Sequence, residues 1–483
     1  MPAIISTFEM RCAEAAAIEA GVPQRELMLN AGCNAAKEIV RFCNATLQPR
    51  HRQRYFVLAG GGNNGGDAFV VAHNMDKPAV AFTTAETHAE PAAEFRQGLD
   101  FVDEFKLQAG DVIIDGLLGI GIHGAVRPEM AALIEKVNAS GLPVVSLDLP
   151  SGLNADDGSG ECVVNADMTV TMHSPKQGMF VGKGPDCCGV IRVVSIGIPN
   201  EFEIGEHPLA FGEDEARALL PRRKQTSHKY DFGHLLCLAG SVDYPGAPAL
   251  AARSAARGGA GLVTLAVPGK TRLPYLEAAL IVRHLGEDVH FTHGHLDMLP
   301  LEKYNAILFG PGIGQNVPEQ VLETLLEVDI PMVIDADGLR LLAKCGAKAA
   351  VLLLKRKQPV VLTPHEGELN ALRQGVPGIL KMPPACLYIV RKGPQTKVHS
   401  PEGSFSVNLS GNAALATAGT GDVLSGLLAS FLAQGMVALD AARLAVFLHG
   451  HAVSISAMPQ RAMVADDLLE LIPKAMEDIA PLA

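Results

Sequence analysis

Read as a pattern of apolar and polar positions, the chain begins helical. Met10, Ala13, Ala17, Leu27, Ala31 and Ile39 recur at near-helical spacing, and Gly21-Val22-Pro23 divides the stretch into two helices. The pattern then changes to short apolar runs that end in polar or glycine-rich loops. Tyr55 to Leu58 runs into a glycine loop ending at Asp67, with the helix-like AFVVAHNM behind it. Asp111 to Asp115 and Pro143 to Leu147 end in acids, and Met168 to Met172 and Gly189 to Ile196 close the series. After an acidic, irregular stretch at Pro199 to His207 and a short helix within Phe211 to Arg223, a second series starts at Phe232. Its runs are Leu262 to Val267, Ala306 to Phe309, Met332 to Ile334, Val360 to Leu362 and Leu387 to Val390, with helices predicted at Ala249 to Arg257 and Val423 to Gln434. Short buried strands alternating with helices predict two doubly wound α/β domains with parallel sheets, over residues 1–208 and 209–483.

Length agrees, since 483 residues exceed the roughly 250–300 at which one core stops growing. With hydrophobic residues at 48%, aromatic ones at 5% and no Trp, Ala/Val/Leu-rich layers fit better than sandwiches or disordered chain. A net charge of −12 argues against nucleic-acid binding, yet local glycine loops and a few lysines can still hold an anionic nucleotide. The nine cysteines are odd in number and lack C-x-x-C spacing, so reduced thiols are expected, with Cys187-Cys188 structural. Neither a signal peptide nor a membrane-spanning run is present, and a soluble cytoplasmic protein with no membrane partner is expected.

The chemistry gathers at strand ends. GNAALATAGTGDVLSG, from Gly411 to Gly426, sets Asp422 at a glycine loop that opens an apolar helix. The free amides of such an end attract phosphate, and a carboxylate there can take a proton from a hydroxyl. The competing reading is a first-turn carboxylate that favours the helix dipole. In the first half, the loop through Gly62 presents Asn63, Asn64 and Asp67, without the full dinucleotide fingerprint, and a structural turn explains it as well. In an open parallel sheet the carboxyl ends of three strands would bring Asn64, Asp115, Asp148 and Ser151 into one crevice. In the second half Lys392 can neutralise phosphates or be merely solvated, His365 can cap a strand end or touch a ligand, and His449 and His451 read as satisfied histidines, not a metal pair.

Three motifs in order, GGNNGGD, DVIIDGLLG and VVSLDLPSGLNADDG, resemble the NAD(P)H-hydrate epimerase domain over about Thr7 to Pro199. The resemblance implies a potassium ion held by Asn64, Asp115 and Ser151, and Asp148 as catalytic acid/base. It further implies hydrate contacts at Asn63, Asn64, Gly65, Gly66, Asp67, Gly119, Gly121 and Asp148. The sequence departs from the family at Ala68, where another glycine is usual, and at GIGIHGAVR from Gly119 to Arg127. From Phe211 to Leu482, the series KYDFGH, GAPALAARSAARGGAGLV, GPGIG, TPHEGEL, KGPQT and NAALATAGTGDVLSGLLA resembles the ADP- or ATP-dependent NAD(P)H-hydrate dehydratase domain, which has a ribokinase-like fold. This likeness implies nucleotide contact at Lys392, Gly393, Pro394, Gln395, Thr396 and Gly421, and hydrate contact at Ala247, Gly312, His365 and Asp422, with Asp422 catalytic. Together the two imply a bifunctional repair enzyme for hydrated NADH and NADPH that uses K⁺ in one domain and Mg²⁺ with ADP or ATP in the other, and a homo-oligomer is expected. The rival expectation is a small-alcohol or vitamin-precursor kinase with a non-catalytic N-terminal binding domain.

Overall fold

A computed structural model describes residues 1–49, 52, 54–122, 124–199 and 207–481. Most of the acidic junction read from the sequence, residues 200–206, and His123 of the GIGIHGAVR stretch lie outside the described residues. The chain forms two compact units, one of Met1–Gly212 with Ser454–Ala457 and one of Glu213–Val453 with Met458–Ala483.

The first unit is built on strands β1 (Arg54–Ala59), β2 (Ala79–Thr83), β3 (Asp111–Gly116), β4 (Val144–Leu147), β5 (Met168–Met172) and β6 (Val190–Val194), in the order β2-β1-β3-β4-β5-β6 and parallel throughout. β3, β4 and β5 are buried at every position, as expected of strands covered on both faces. The chain leaves β1 for β2 on one side and returns to β3 on the other, so the loops after β1 and β3 diverge and open a crevice at their carboxyl ends. A short β7 (Leu209–Phe211) is bridged to Ala3.

One element differs from expectation. The predicted glycine loop after β1 is shorter, and NNGGD is the first turn and more of a helix, Asn63–His73. A Cβ on Gly65 would lie 1.9 Å from the carbonyl oxygen of Gly60, and one on Gly66 would lie 2.6 Å from the sulfur of Met28. These two glycines therefore permit close approach of helix to neighbouring chain rather than a turn. The N-terminal helix Thr7–Glu19 begins in a capping box: Ser6 Oγ accepts from the Glu9 amide at 3.3 Å and Glu9 Oε2 accepts from the Ser6 amide at 2.7 Å.

In the second unit, strands β8 (His234–Leu238), β9 (Leu262–Pro268), β10 (Ile281–Leu285), β11 (Ala306–Phe309), β12 (Met332–Ile334), β13 (Val360–Leu362), β14 (Leu387–Arg391), β15 (Lys397–His399) and β16 (Phe405–Asn408) lie in the order β10-β9-β8-β11-β12-β13-β14-β15-β16. Pairing is parallel as far as β14 and antiparallel from β14 to β16. The segment Lys392 to Thr396 is thus the turn of a hairpin. The sheet again reverses direction between β8 and β11. Helix Gly246–Arg257 starts three residues earlier than the pattern predicts and packs along helix Thr420–Ala433, whose side chains are nearly all buried. A Cβ on Gly426 would come 2.1 Å from the carbonyl oxygen of Ala251, and Ser254 Oγ donates to the carbonyl of Val423 at 2.6 Å.

Candidate functional sites

In the first unit the loop ends of β1, β3 and β4 line a cavity of about 950 Å³, whose walls include Asn63, Asn64, Asp67, Gly119, Gly121 and Asp148. Gly65 and Gly66 are buried behind that wall. Asp115 and Ser151 are in direct contact, and Asn64 joins them through the backbone of Leu118. Asn64 Nδ2 donates to the Leu118 carbonyl at 3.0 Å, and Ser151 Oγ accepts from the Leu118 amide at 2.9 Å while donating to Asp115 Oδ1 at 2.6 Å. The Asp115 carboxylate is fully buried and accepts from the Ser151 amide at 2.9 Å and Ser146 Oγ at 2.8 Å. Burial pushes its carboxyl upward and these hydrogen bonds pull it back. Its donors are neutral, and Asn64 Oδ1 is buried with no hydrogen-bond partner. A buried carboxylate met only by neutral donors, beside an orphaned amide oxygen, fits a hard cation with oxygen ligands.

Asp148 follows β4 at φ 61°, a left-handed conformation that a non-glycine residue adopts at a cost. Its Oδ1 accepts from the Met172 amide at 3.2 Å and Thr171 Oγ1 at 3.2 Å, and it is ion-paired with Lys176. Lys176 has no exposed surface, and its Nζ also donates to Thr171 Oγ1 and the Met172 carbonyl, each at 3.0 Å. Lys176 is the residue that sequence reasoning missed here. Its signal was a charge four residues beyond Met172, at the end of a strand read only as closing the sheet. Asp67 faces the same space. Burial first, then the charges of Asp148 and Glu14, hold its carboxyl well above the usual range.

In the second unit Asp422 stands in the first turn of helix Thr420–Ala433, after Gly419 in the left-handed region at φ 88°. Thr420 Oγ1 donates to the carbonyls of Leu415 at 3.0 Å and Thr417 at 3.1 Å, which fixes the loop. Beneath it, His449 Nε2 donates to the Thr420 carbonyl at 2.9 Å, and burial lowers this histidine to about 4, so it stays neutral. His451 is likewise engaged, with Nε2 2.8 Å from Asp478 Oδ2 and its ring stacked on Phe447. Both match the reading of satisfied histidines.

Asp422 itself is pushed up to about 7. Burial is the main cause, Asp335 the next, with Asp337 and Glu368 adding to it and Lys392 opposing it. Lys392 Nζ lies 2.8 Å from Asp335 Oδ1 and 3.7 Å from Glu368 Oε2, and a Cβ on Gly421 would sit 3.4 Å from it. Lys392 is thus drawn inward under the glycine loop instead of being solvated. Asp337 Oδ2 accepts from the Gly314 amide at 3.0 Å, which ties the GPGIG loop to the same cluster. Gly312, at φ 63°, approaches Ala247 so closely that a Cβ on it would lie 2.9 Å from the Ala247 methyl. His365 is a helix N-cap whose Nδ1 accepts from the amides of Gly367 and Glu368 at 3.0 and 3.3 Å, leaving Nε2 with the proton on a half-exposed ring. Gly393 is open, and Thr396 Oγ1 donates back to its carbonyl at 3.3 Å across the turn holding Pro394 and Gln395. Asp335 and Glu368 were the unassigned members. Asp335 ends a strand as Asp148 does, and Glu368 closes a capping box three residues after His365.

Three carboxyl groups, Asp335, Glu368 and Asp422, surround the one ammonium of Lys392, and Asp337 adds a fourth beside Asp422, an arrangement that fits a divalent cation carrying phosphates.

A family model described as NAD(P)H-hydrate dehydratase matches residues 235–474, and one described as YjeF-related protein N-terminus matches residues 24–178. The bifunctional NAD(P)H-hydrate repair enzyme of Moorella thermoacetica is 32% identical over 505 residues, spanning 95% of this chain and 93% of that protein. Those of Salinibacter ruber and Gloeobacter violaceus are 34% and 36% identical, spanning 98% and 89% of this chain and 96% and 89% of their own lengths. Among solved structures, the ADP/ATP-dependent NAD(P)H-hydrate dehydratase of Bacillus subtilis, co-crystallized with ATP and Mg²⁺, is 30% identical and is covered completely by 57% of this chain, with a TM-score of 0.46. With such identity carried along nearly the whole length of both chains and through both units, this chain belongs to the family of bifunctional NAD(P)H-hydrate repair enzymes.

Proposed function

We propose that the first unit interconverts the R and S hydrates of NADH and NADPH, and that the second dehydrates the S hydrate while converting ADP to AMP and phosphate. The observation that carries this reading is the placement of Asp422. A carboxylate poised at about 7 beside the open amides of a helix N-terminus can accept a hydroxyl proton as that oxygen attacks a phosphoryl group. Hydroxide is a poor leaving group and phosphate a good one, so phosphorylation followed by phosphate loss regenerates the ring double bond. Lys392 and the turn through Thr396 would take the nucleotide, while Ala247, Gly312 and His365 would take the hydrate. Asp335 and Glu368 would hold Mg²⁺, which supplies positive charge for the phosphates.

In the first unit Asp148 is the acid/base, oriented by its ion pair with Lys176. Asn64, Asp115 and Ser151 would hold K⁺, whose charge offsets that of the buried carboxylate. The remaining cavity wall, Asn63, Asp67, Gly119 and Gly121, would take the substrate, with Gly65 and Gly66 allowing the wall its shape. Of the described residues, no helix is long and apolar enough to cross a membrane. The cytoplasm as the site of action and indifference to nucleic acid are parts of the same proposal, supported by the acidic net charge. So is a homo-oligomer, supported by the exposed edge strand β10 with Ile281 and Val282 uncovered.

The test is to incubate the chain with mixed NADH hydrates, with and without ADP, and follow recovery of NADH absorbance. With ADP both epimers should be recovered. Asp148→Asn should recover the S epimer alone at the enzymatic rate, and equal loss of both activities in a folded Asp148→Asn variant would count against separate sites. A phosphorylated product in place of NADH would indicate a kinase.

A further inference from the structure

Helix Thr7–Glu19 lies outside the stretch matched by either family model, yet one of its faces forms a wall of the first unit's cavity. Met10, Glu14 and Ile18, four residues apart, line the same space as Asp148, as does Arg11. The helix is firmly seated. Its capping box fixes the start, the Thr7 amide donates to Asp156 Oδ1 at 2.6 Å, and Met10, Ala13 and Ala17 are buried. Glu14 is thus a half-buried carboxyl group that a rigid helix presents to a cavity lined largely by apolar side chains.

Resting on the epimerase reading above, we propose that Glu14 is a second catalytic proton carrier there, the acid that releases the hydroxyl group of the hydrate while Asp148 serves as the base. The hydroxyl-bearing carbon adjoins the ring nitrogen, so its configuration inverts by loss and return of water. As the carbon–oxygen bond breaks, the carboxyl proton of Glu14 goes to the departing oxygen, and the nitrogen lone pair forms a carbon–nitrogen double bond, leaving a cation. Water then adds to the opposite face, the double-bond electrons return to nitrogen, and Asp148 accepts the proton of the added water. Proton transfer between the two carboxyl groups, through the released water, restores the starting state. No oxidant or reductant is consumed.

The charges facing Glu14 agree with this division. Burial is the main influence raising its carboxyl and Asp148 the next, while Lys176 and Arg11 oppose them. Asp148 holds the ion pair with Lys176, and Glu14 does not share it. Three carboxyl groups, Glu14, Asp67 and Asp148, share one ammonium and one guanidinium, so a proton stays in the cluster. Asp67 is held well above the usual range by burial first and then by the charges of Asp148 and Glu14, and Glu14 is raised as well, so each holds its proton to higher pH than a free carboxyl group does.

The experiment uses the full chain and purified R hydrate without nucleotide, with the epimers separated chromatographically. Glu14→Gln should slow epimerisation by about 10²–10⁴-fold, and Glu14→Asp should restore part of it. The wild-type rate should fall as pH rises through the raised titration of Glu14, and this limb should vanish in Glu14→Gln. In water enriched in oxygen-18, the inverted hydrate should carry the label. ADP-dependent dehydration of the S hydrate should be unchanged, as expected of a site in the second unit, while an unchanged circular dichroism melt and the partial rescue by Glu14→Asp show that the first unit is folded. Epimerisation by Glu14→Gln within threefold of wild type would overturn the proposal, as would loss of the alkaline limb in Asp67→Asn but not in Glu14→Gln. A wild-type chain that does not epimerise at all would instead refute the reading on which the proposal rests.

Discussion

Replacing Asp422 by Asn should abolish dehydration and make the second unit more stable. The carboxyl of Asp422 titrates at about 7 instead of 3.8, because it is buried and crowded by Asp335, Asp337 and Glu368. Below pH 3.8 both folded and unfolded chains carry this proton and nothing is lost. Between about 4 and 7 the unfolded chain releases it while the folded chain retains it, so stability falls as pH rises, and above about 7 the penalty is constant. About three pH units at 1.36 kcal/mol each bound the penalty at about 4 kcal/mol. Asp422 keeps some access to solvent, and about 2 kcal/mol is the expected share. Asn is neutral at every pH and escapes the penalty. In nucleotide-free thermal melts at pH 8 the variant should therefore unfold about 4–8 °C higher. At pH 5 the gain should shrink to about a third, since only the interval from 3.8 to 5 then contributes. Turnover should drop by about 10²–10⁴, with nucleotide affinity by calorimetry retained. A variant that is no more stable than its parent at pH 8, or whose gain is the same at both pH values, would refute the crowding argument. Near-normal turnover would refute the assignment of the base.

Diffraction from crystals soaked in rubidium should show a peak between Asn64 Oδ1 and Asp115, and unchanged solvent density there would rule the site out. Lys392→Met should weaken nucleotide binding and cost about 3–5 kcal/mol of stability by stranding Asp335, which is only 1% exposed. It should also move the pH–rate profile of dehydration upward, because Lys392 is the charge that lowers Asp422, and an unmoved profile would show that the two do not interact.

The order of elements was legible because each strand is a short apolar run with a polar end, and the catalytic candidates Asp148 and Asp422, like the cation-ligand candidate Asp115, stand at such ends or at a glycine loop. What stayed hidden depended on distance in the chain. Lys176 and Asp148 are 28 residues apart and Lys392 and Asp335 are 57 apart, so no local pattern announces either pair. The glycines of NNGGD misled for a different reason. A glycine that permits a turn and a glycine that permits close packing look identical in sequence, and only the 1.9 Å approach at Gly65 tells them apart. The same ambiguity moved the start of helix Gly246–Arg257, which takes in Gly246 and Pro248 ahead of the predicted start at Ala249.

The close crossing of helices Gly246–Arg257 and Thr420–Ala433 bears on which changes this chain can tolerate. Asp422 and Ala247 each stand near the start of one of these helices, and Gly426 and Ala251 meet one turn further in, where there is no room even for a methyl group. The span between Asp422 and Ala247 is therefore set by two backbones in contact and not by the side chains around them. Residues around the proposed site can be exchanged for others without altering that span, whereas the smallest enlargement at Gly426 acts as a wedge between the two helices that carry Asp422 and Ala247.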